Sequence, residues 1–127
     1  MRLGHFKELN GSDIVLLSGD CAEIGMLRAS LSRAISRSAA VAIHDLAKAS
    51  DRYPARLFVC PKAATVEAKT GDFVWRLSEN DYSDLDAKLE ALESVPAGHQ
   101  YFPLPGTPSE LMVSVGEYSD HWWQHYA

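Results

Sequence analysis

Two segments of the chain repeat their apolar residues every three or four positions, the spacing that places them on one face of an α-helix. In the first segment these positions are Ile24, Leu27 and Leu31, and Asp20 precedes them as a typical N-terminal capping residue. Arginines near the end of the segment suit the negative C-terminal end of a helix. The pattern predicts a helix over residues 21–37.

The second segment has the same organisation. Its apolar positions include Leu85, Leu89 and Leu92, Ser78 stands at the capping position, and acidic residues fill the first turn, where they complement the helix dipole. A proline and a glycine follow the last apolar position and end the segment. We therefore predict a second helix over residues 79–95.

Short runs rich in β-branched, aliphatic and aromatic residues flank both helices and are typical of strands. Two runs precede each helix and two follow it. The first two runs are joined by Asn10-Gly11, a strong signal for a β-hairpin. The predicted strands cover residues 6–9, 14–18, 40–46, 56–60, 64–69, 73–77, 99–104 and 111–118.

The resulting order is strand–strand–helix–strand–strand, and it occurs twice. We therefore predict an α+β fold made of two similar ββαββ halves, with the two helices packed on antiparallel sheets. The chain of 127 residues has the size of one ordinary domain. We take residues 1–127 as a single domain in which residues 1–62 and 63–127 form a pseudo-repeat.

From residue 14 onward, the order of elements is similar to that of the vicinal-oxygen-chelate family, whose domains pair two βαβββ units around a metal. The resemblance covers most of the chain and lacks the final strand. It concerns the order of elements, without a shared motif. The predicted strands 14–18 and 73–77 contain no histidine or glutamate that could bind a metal, so the resemblance assigns no ligand residues.

Charge is distributed unevenly along the chain. Residues 1–70 contain ten Lys or Arg and seven Asp or Glu, whereas residues 71–127 contain two and ten. The negative C-terminal half disfavours phosphate backbones and anionic lipid, and no run approaches the roughly 20 apolar residues of a membrane span. We therefore expect no nucleic acid and no membrane as partners. Two cysteines and the lack of a secretory signal favour a cytoplasmic location.

The C-terminal half is also rich in aromatic residues, since six of the twelve lie within residues 101–126. Aromatic side chains supply contact area, and acidic neighbours, including those of the second helix, steer a basic partner. The sequence therefore predicts a non-enzymatic interaction module that binds a basic protein, comparable in size and charge with immunity proteins and antitoxins. Opposite charges of the two halves also favour a homo-oligomer. The residues expected to contact the partner are Glu117, Tyr118, Asp120, Trp122 and Trp123.

The alternative function is a small metal- or ligand-binding enzyme with a cleft between the two halves. If residues 116–127 form a helix, Glu117, His121 and His125 share one face, and they are ligand types that suit zinc or iron. The segment matches no recognised metal motif.

Other candidates for chemistry are isolated residues. Cys21 lies at the start of the first helix, a position that favours reactive thiols, but no base can be placed beside it from the sequence. His44 and His99 occupy comparable places after the two helices and could face a central cleft. Phosphate-binding, dinucleotide-binding and G-x-S-x-G motifs are absent. We assign no catalytic residue and no cofactor.

Overall fold

The computed structural model describes all 127 residues and has an α+β fold, as predicted. It contains three α-helices, one 3₁₀ helix and eight strands. In chain order the elements are β1 (Arg2–Leu9), β2 (Ser12–Gly19), α1 (Cys21–Arg37), β3 (Val41–Ala42), the 3₁₀ helix (Ile43–Asp45), β4 (Lys48–Ala49), β5 (Leu57–Pro61), β6 (Phe73–Leu77), α2 (Glu79–Glu93), β7 (Gly98–Pro103), β8 (Glu110–Val115) and α3 (Asp120–Tyr126). None of the helices has the length and apolar character needed to cross a membrane.

The strands form a five-stranded sheet in the order β4-β1-β2-β8-β7 and a three-stranded sheet in the order β3-β5-β6. Both sheets are mixed. Antiparallel pairs are β1–β2, β7–β8 and β3–β5, whereas β1–β4, β2–β8 and β5–β6 run parallel. The central pair, β2 and β8, is parallel from Ile14↔Glu110 to Gly19↔Val115, so both strands end at the same edge of the sheet.

Local sequence signals account for the two long helices and the first hairpin. Capping boxes formed by Asp20 with Glu23 and by Ser78 with Asp81 begin α1 and α2 at the predicted residues. The hairpin residues Asn10 and Gly11 have φ angles of 52° and 82°, the left-handed conformations that a two-residue type I′ turn requires.

Three predicted strands are wrong in whole or in part. Residues 64–69 form no strand, because β5 and β6 are parallel and need a crossover connection instead of a hairpin. Residues 40–46 contribute only Val41–Ala42 before the chain enters the 3₁₀ helix that buries Ile43. The last strand ends at Val115, because Gly116 adopts a left-handed φ of 70°.

The two similar halves are not confirmed. The strands before α1 form an antiparallel hairpin, whereas β6, the strand before α2, pairs in parallel with β5 from the other half of the chain. Three strands of two, two and five residues follow α1 in the first half, whereas two strands of six residues follow α2.

The five-stranded sheet buries both faces, but very unequally. On β2, Val15 and Leu17 point to an inner core of 20 buried residues, which also holds the buried side chains of α1 and α2. Ile14 and Leu16 point to the opposite face, where a smaller outer cluster of six buried residues includes Trp123 of α3. The alternation follows from the two-residue period of a strand.

An ion-pair network joins α1 to α2 at the surface of the inner core. The Arg28 guanidinium donates to both carboxylate oxygens of Asp86 at 2.9 and 3.0 Å and to Glu93 at 2.8 Å. The bond from Arg28 is the main cause that lowers the pKa of Asp86 below its ordinary value. Gly25 leaves room for this network, since a Cβ there would lie 2.6 Å from a carboxylate oxygen of Glu93.

Candidate interaction surface

A crevice of about 410 Å³ opens where β2 and β8 end. After Gly19 the chain enters α1 on the inner face of the sheet, whereas after Val115 it leads to α3 on the outer face. Two parallel neighbours whose connections leave to opposite faces create a cleft beyond their carboxyl ends, and such clefts are frequent ligand sites. The crevice therefore results directly from the topology of the sheet.

Four carboxylates line this crevice: Asp20, Glu23, Glu117 and Asp120. The one basic side chain among the lining residues is Arg2, which donates to Asp120 at 3.3 Å. The Asp120 side chain is 82% exposed, so this ion pair is weak and open to exchange. The crevice consequently carries an excess of negative charge.

Asp20 and Glu23 have a structural task at the start of α1. Asp20 accepts a hydrogen bond from the Glu23 amide, and Glu23 accepts one from the Asp20 amide. Glu23 also pairs with the amino group of Met1. Unlike Asp20 and Glu23, the carboxylates of Glu117 and Asp120 form no capping hydrogen bonds at the start of α1.

Glu117 is held in place by two neighbours on the adjoining strands. Its carboxylate accepts a hydrogen bond from the Ser114 hydroxyl at 2.6 Å and lies 2.9 Å from His99 Nδ1. The turn before it is tight, because a Cβ on Gly116 would lie 2.0 Å from the carbonyl oxygen of Pro96. Only glycine fits this close approach, and the contacts with Ser114 and His99 then hold the Glu117 side chain.

The two adjacent tryptophans of α3 have different surroundings. Trp123 is 4% exposed and donates from Nε1 to the buried Ser18 hydroxyl at 2.9 Å. It anchors α3 to the sheet, so the prediction that Trp123 contacts a partner is wrong: a helix turns adjacent side chains by about 100°, and only Trp122 reaches the surface. Trp122 is half-buried, with ring centroids 4.7 Å from Tyr118 and 6.2 Å from Tyr126.

Tyr118 lies between the carboxylates and the tryptophans. Burial raises the pKa of its hydroxyl above the ordinary value, and the neighbouring charge of Glu117 raises it further. The group therefore stays neutral and able to donate near neutral pH. We call Glu117, Tyr118, Asp120 and Trp122 the docking surface.

The acidic residues of α2 do not belong to this surface. Leu85 and Leu89 of α2 pack in the inner core, whereas Trp123 of α3 packs in the outer cluster. The five-stranded sheet therefore separates the two helices. Asp86 and Glu93 of α2 are also paired with Arg28 of α1. The expectation that the acidic residues of α2 and the aromatic C-terminal segment form one surface is therefore wrong, because they lie on opposite sides of the sheet.

The structure does not bring the proposed metal ligands together. Glu117 precedes α3 and is bound to Ser114 and His99, while His121 and His125 stack on each other with a centroid distance of 3.9 Å. No group of three or more His, Cys, Asp and Glu residues is arranged to hold a metal ion.

The other candidates from the sequence also lie apart. His44 packs its ring 4.9 Å from Phe58 beside the three-stranded sheet, whereas His99 lies on β7 of the other sheet. Cys21 lines the crevice, and its thiol contacts the carbonyl oxygen of Val95 at 3.4 Å. Both cysteines of the chain are free thiols.

Sequence reasoning missed a second polar cluster at the opposite end of the sheet. The carboxylate of Asp13 accepts from the Ser109 hydroxyl at 2.5 Å and lies 2.7 Å from His5 Nε2. The hydrogen bond from Ser109 is the main cause that lowers the pKa of Asp13. In a catalytic triad the histidine binds serine and acid through different ring nitrogens. Here His5 presents the same Nε2 to Asp13 and, at 3.4 Å, to Ser109, the Ser109 hydroxyl donates to the acid, and Ser109 is 4% exposed. The cluster therefore fastens the loop before β8 to the first hairpin.

Comparison with family models, with curated proteins and with solved structures finds no match to this chain. The resemblance to vicinal-oxygen-chelate domains therefore rests only on the order of helices and strands predicted from the sequence.

Proposed function

We propose that the protein is a non-enzymatic interaction module that binds a basic protein partner through the docking surface. The observation that carries this proposal is the position of Glu117 and Asp120 in the crevice together with Tyr118, whose ring packs 4.7 Å from that of Trp122. Carboxylates attract a basic partner and raise its rate of association, and aromatic faces bind cationic side chains.

The crevice supplies a place for one such side chain. Its volume of about 410 Å³ is sufficient for a lysine or arginine head group, and its lining contains more carboxylates than basic groups. A guanidinium entering from the partner would displace Arg2 from Asp120, a contact at 3.3 Å in which the Arg2 side chain is 24% and the Asp120 side chain 82% exposed. The exchange costs little because the Asp120 carboxylate is open to solvent.

The size and charge of the protein are comparable with those of immunity proteins and antitoxins, which neutralise basic toxins, and this analogy concerns charge and size alone. A cytoplasmic location fits the two free cysteines, which persist as thiols in a reducing compartment.

Affinity capture tests the proposal. We would immobilise the wild-type protein, a Glu117→Gln/Asp120→Asn variant and a matched Glu79→Gln/Asp84→Asn variant, which removes the same charge from exposed positions of α2. The proposal requires a basic protein that the wild type and the α2 variant retain at low salt, that the docking-surface variant does not retain, and that high salt releases. Equal retention by all three proteins, or retention indifferent to salt, would contradict it.

A second candidate is binding of a small cationic ligand in the crevice, which lies between β2 of the first half of the chain and β8 of the second. This corresponds to the alternative of a ligand-binding enzyme with a cleft between the halves. Thermal unfolding with arginine or spermidine distinguishes the two. A rise in Tm that requires Glu117 and Asp120 and saturates at micromolar ligand favours the small ligand, since a single head group taken from a larger protein interface binds only at far higher concentration.

A further inference from the structure

The five-stranded sheet ends in a strand with an unusual edge. β7 (Gly98–Pro103) is the last strand of the sheet and pairs only with β8. Apart from that ladder, the only hydrogen bond to a main-chain group of β7 comes from the Ser114 hydroxyl to the Gly98 carbonyl, at 3.4 Å. In an antiparallel pair every second residue directs its N–H and C=O away from the neighbouring strand. These groups of β7 have no partner within the chain.

The other three edges of the two sheets are protected. β3 and β4 are two residues long, and β6 has the exposed charged residue Arg76. Short length and charge are the usual means by which proteins prevent edge-to-edge pairing. β7 is six residues long and contains no Lys, Arg, Asp or Glu. Its outer face is uncovered by α3, and Tyr101 there is 46% exposed.

We propose that β7 pairs in antiparallel fashion with β7 of a second copy, so that the two five-stranded sheets join into one sheet of a symmetric dimer. The same strand of two copies can pair with itself about a two-fold axis. This pairing gives hydrogen-bond partners to the free N–H and C=O groups of β7 in both copies. β7 itself has no charged residue, and the nearest charges, Glu117 beside His99 and Lys88 over the Phe102 ring, flank the strand on its two faces. This favours a second copy as the occupant, because two identical edges can pair without placing like charges directly opposite each other.

The residues of β7 also select a register. Pro103 has no N–H and cannot donate, so pairing centred on Gln100 is preferred because it uses only Gly98–Phe102. This register places His99 opposite Tyr101 of the second copy. Within one copy these rings already pack edge to face at 5.1 Å, and the dimer repeats the contact across the axis. A cross-strand aromatic pair of this kind stabilises an antiparallel sheet.

The dimer differs from the charge-driven oligomer that the sequence suggests. Association between the basic and acidic parts of the chain would weaken as salt screens the charges. Association through an uncharged edge changes little with salt. Pairing through one edge also buries little area, so the dimer is expected to be weak and reversible.

Sedimentation equilibrium of the full chain tests the inference, over protein concentrations from about 10 μM to about 1 mM, where a weak dimer forms by mass action. We expect a dimer whose association constant is unchanged by added salt. Tyr101→Glu should lower that constant by about tenfold or more, because a charge at an edge opposes pairing and the register sets this charge near Glu117 of the second copy, which is bound to His99. Tyr53→Glu is the matched control, since Tyr53 is 45% exposed and lies outside β7.

Amide hydrogen exchange of the wild type gives a second readout that needs no substitution. With rising concentration, the amides of β7 that do not donate to β8 should exchange more slowly, while the outer amides of β6 should not change. A monomer at every concentration, a dimer dissociated by salt, or equal effects of the Tyr101 and Tyr53 substitutions would overturn the proposal.

Discussion

The two faces of the five-stranded sheet show how one element serves both stability and recognition. The inner face contributes to a core of 20 buried residues, closed by α1 and α2 and by the three-stranded sheet. The outer face contributes four residues to a cluster of six, which is completed by Trp123 of the seven-residue helix α3 and by Ala127. Its remaining surface is polar, aromatic and exposed. The comparison indicates that folding free energy resides mainly on the inner face, which leaves the outer face free for binding.

The largest expected effect is therefore on the inner face. Leu89 of α2 is 1% exposed in the core, and Leu89→Ala should lower the free energy of unfolding by about 2–5 kcal/mol through lost burial and a residual cavity. Leu46→Ala is the control, because Leu46 is 44% exposed and should cost less than about 1 kcal/mol. Urea denaturation measures both. Equal losses would contradict the assignment of the core.

The next effect concerns the anchor of the outer face. Trp123→Phe keeps an aromatic ring but removes the N–H that bonds to Ser18, so it should lower the free energy of unfolding by about 1–3 kcal/mol. The adjacent Trp122→Phe makes the same chemical change at a half-exposed ring and should cost less than about 0.5 kcal/mol. If the two variants unfold at the same urea concentration, α3 is not anchored as described.

A pH series sharpens the account of the inner face. Arg28→Met should lower the free energy of unfolding by about 1–2 kcal/mol at neutral pH, because Asp86 and Glu93 lose their partner. Pairing depresses the pKa of Asp86 in the folded state, so its contribution is present above the unfolded value of about 3.9 and is lost as pH falls through the lower folded value.

The difference in the free energy of unfolding between the wild type and Arg28→Met should consequently be constant from about pH 5 upward. It should become smaller below about pH 4. Urea denaturation at each pH provides the measurement. Arg33→Met is a suitable control, since Arg33 is exposed and its side chain contacts only Ser30. A gap that widens in acid would contradict the role assigned to Asp86.

Local signals in the sequence predicted the elements that depend on neighbouring residues. Capping residues and the three-four spacing defined α1 and α2, and Asn10-Gly11 defined the hairpin. The strand at 64–69 failed because its composition resembles that of a strand, while the parallel pairing of β5 with β6 requires that stretch as a connection. The residues of 64–69 and their neighbours carry no signal of this parallel pairing, because it depends on how β5 and β6 meet in the folded chain.

The candidate surface was predictable in part for the same reason. Glu117, Tyr118, Asp120 and Trp122 were proposed from the sequence because they are close together along the chain. Arg2 and Asp20 were missed because the parallel pairing of β2 with β8, distant along the chain, creates the crevice that they line. Trp123 was predicted to contact a partner, but neighbouring side chains of a helix point about 100° apart. Trp122 therefore reaches the surface of α3 while Trp123 is buried.

Residue-level mapping of a basic probe shows directly whether the docking surface binds basic groups. We would titrate the isotope-labelled protein with a tetra-arginine peptide and follow its amide chemical shifts. We expect the largest shifts at Asp20, Glu23 and residues 116–122. Glu117→Gln/Asp120→Asn should abolish these shifts, whereas Glu79→Gln/Asp84→Asn should not. Shifts centred on the acidic residues of α2, or shifts that persist after the docking surface is neutralised, would contradict it.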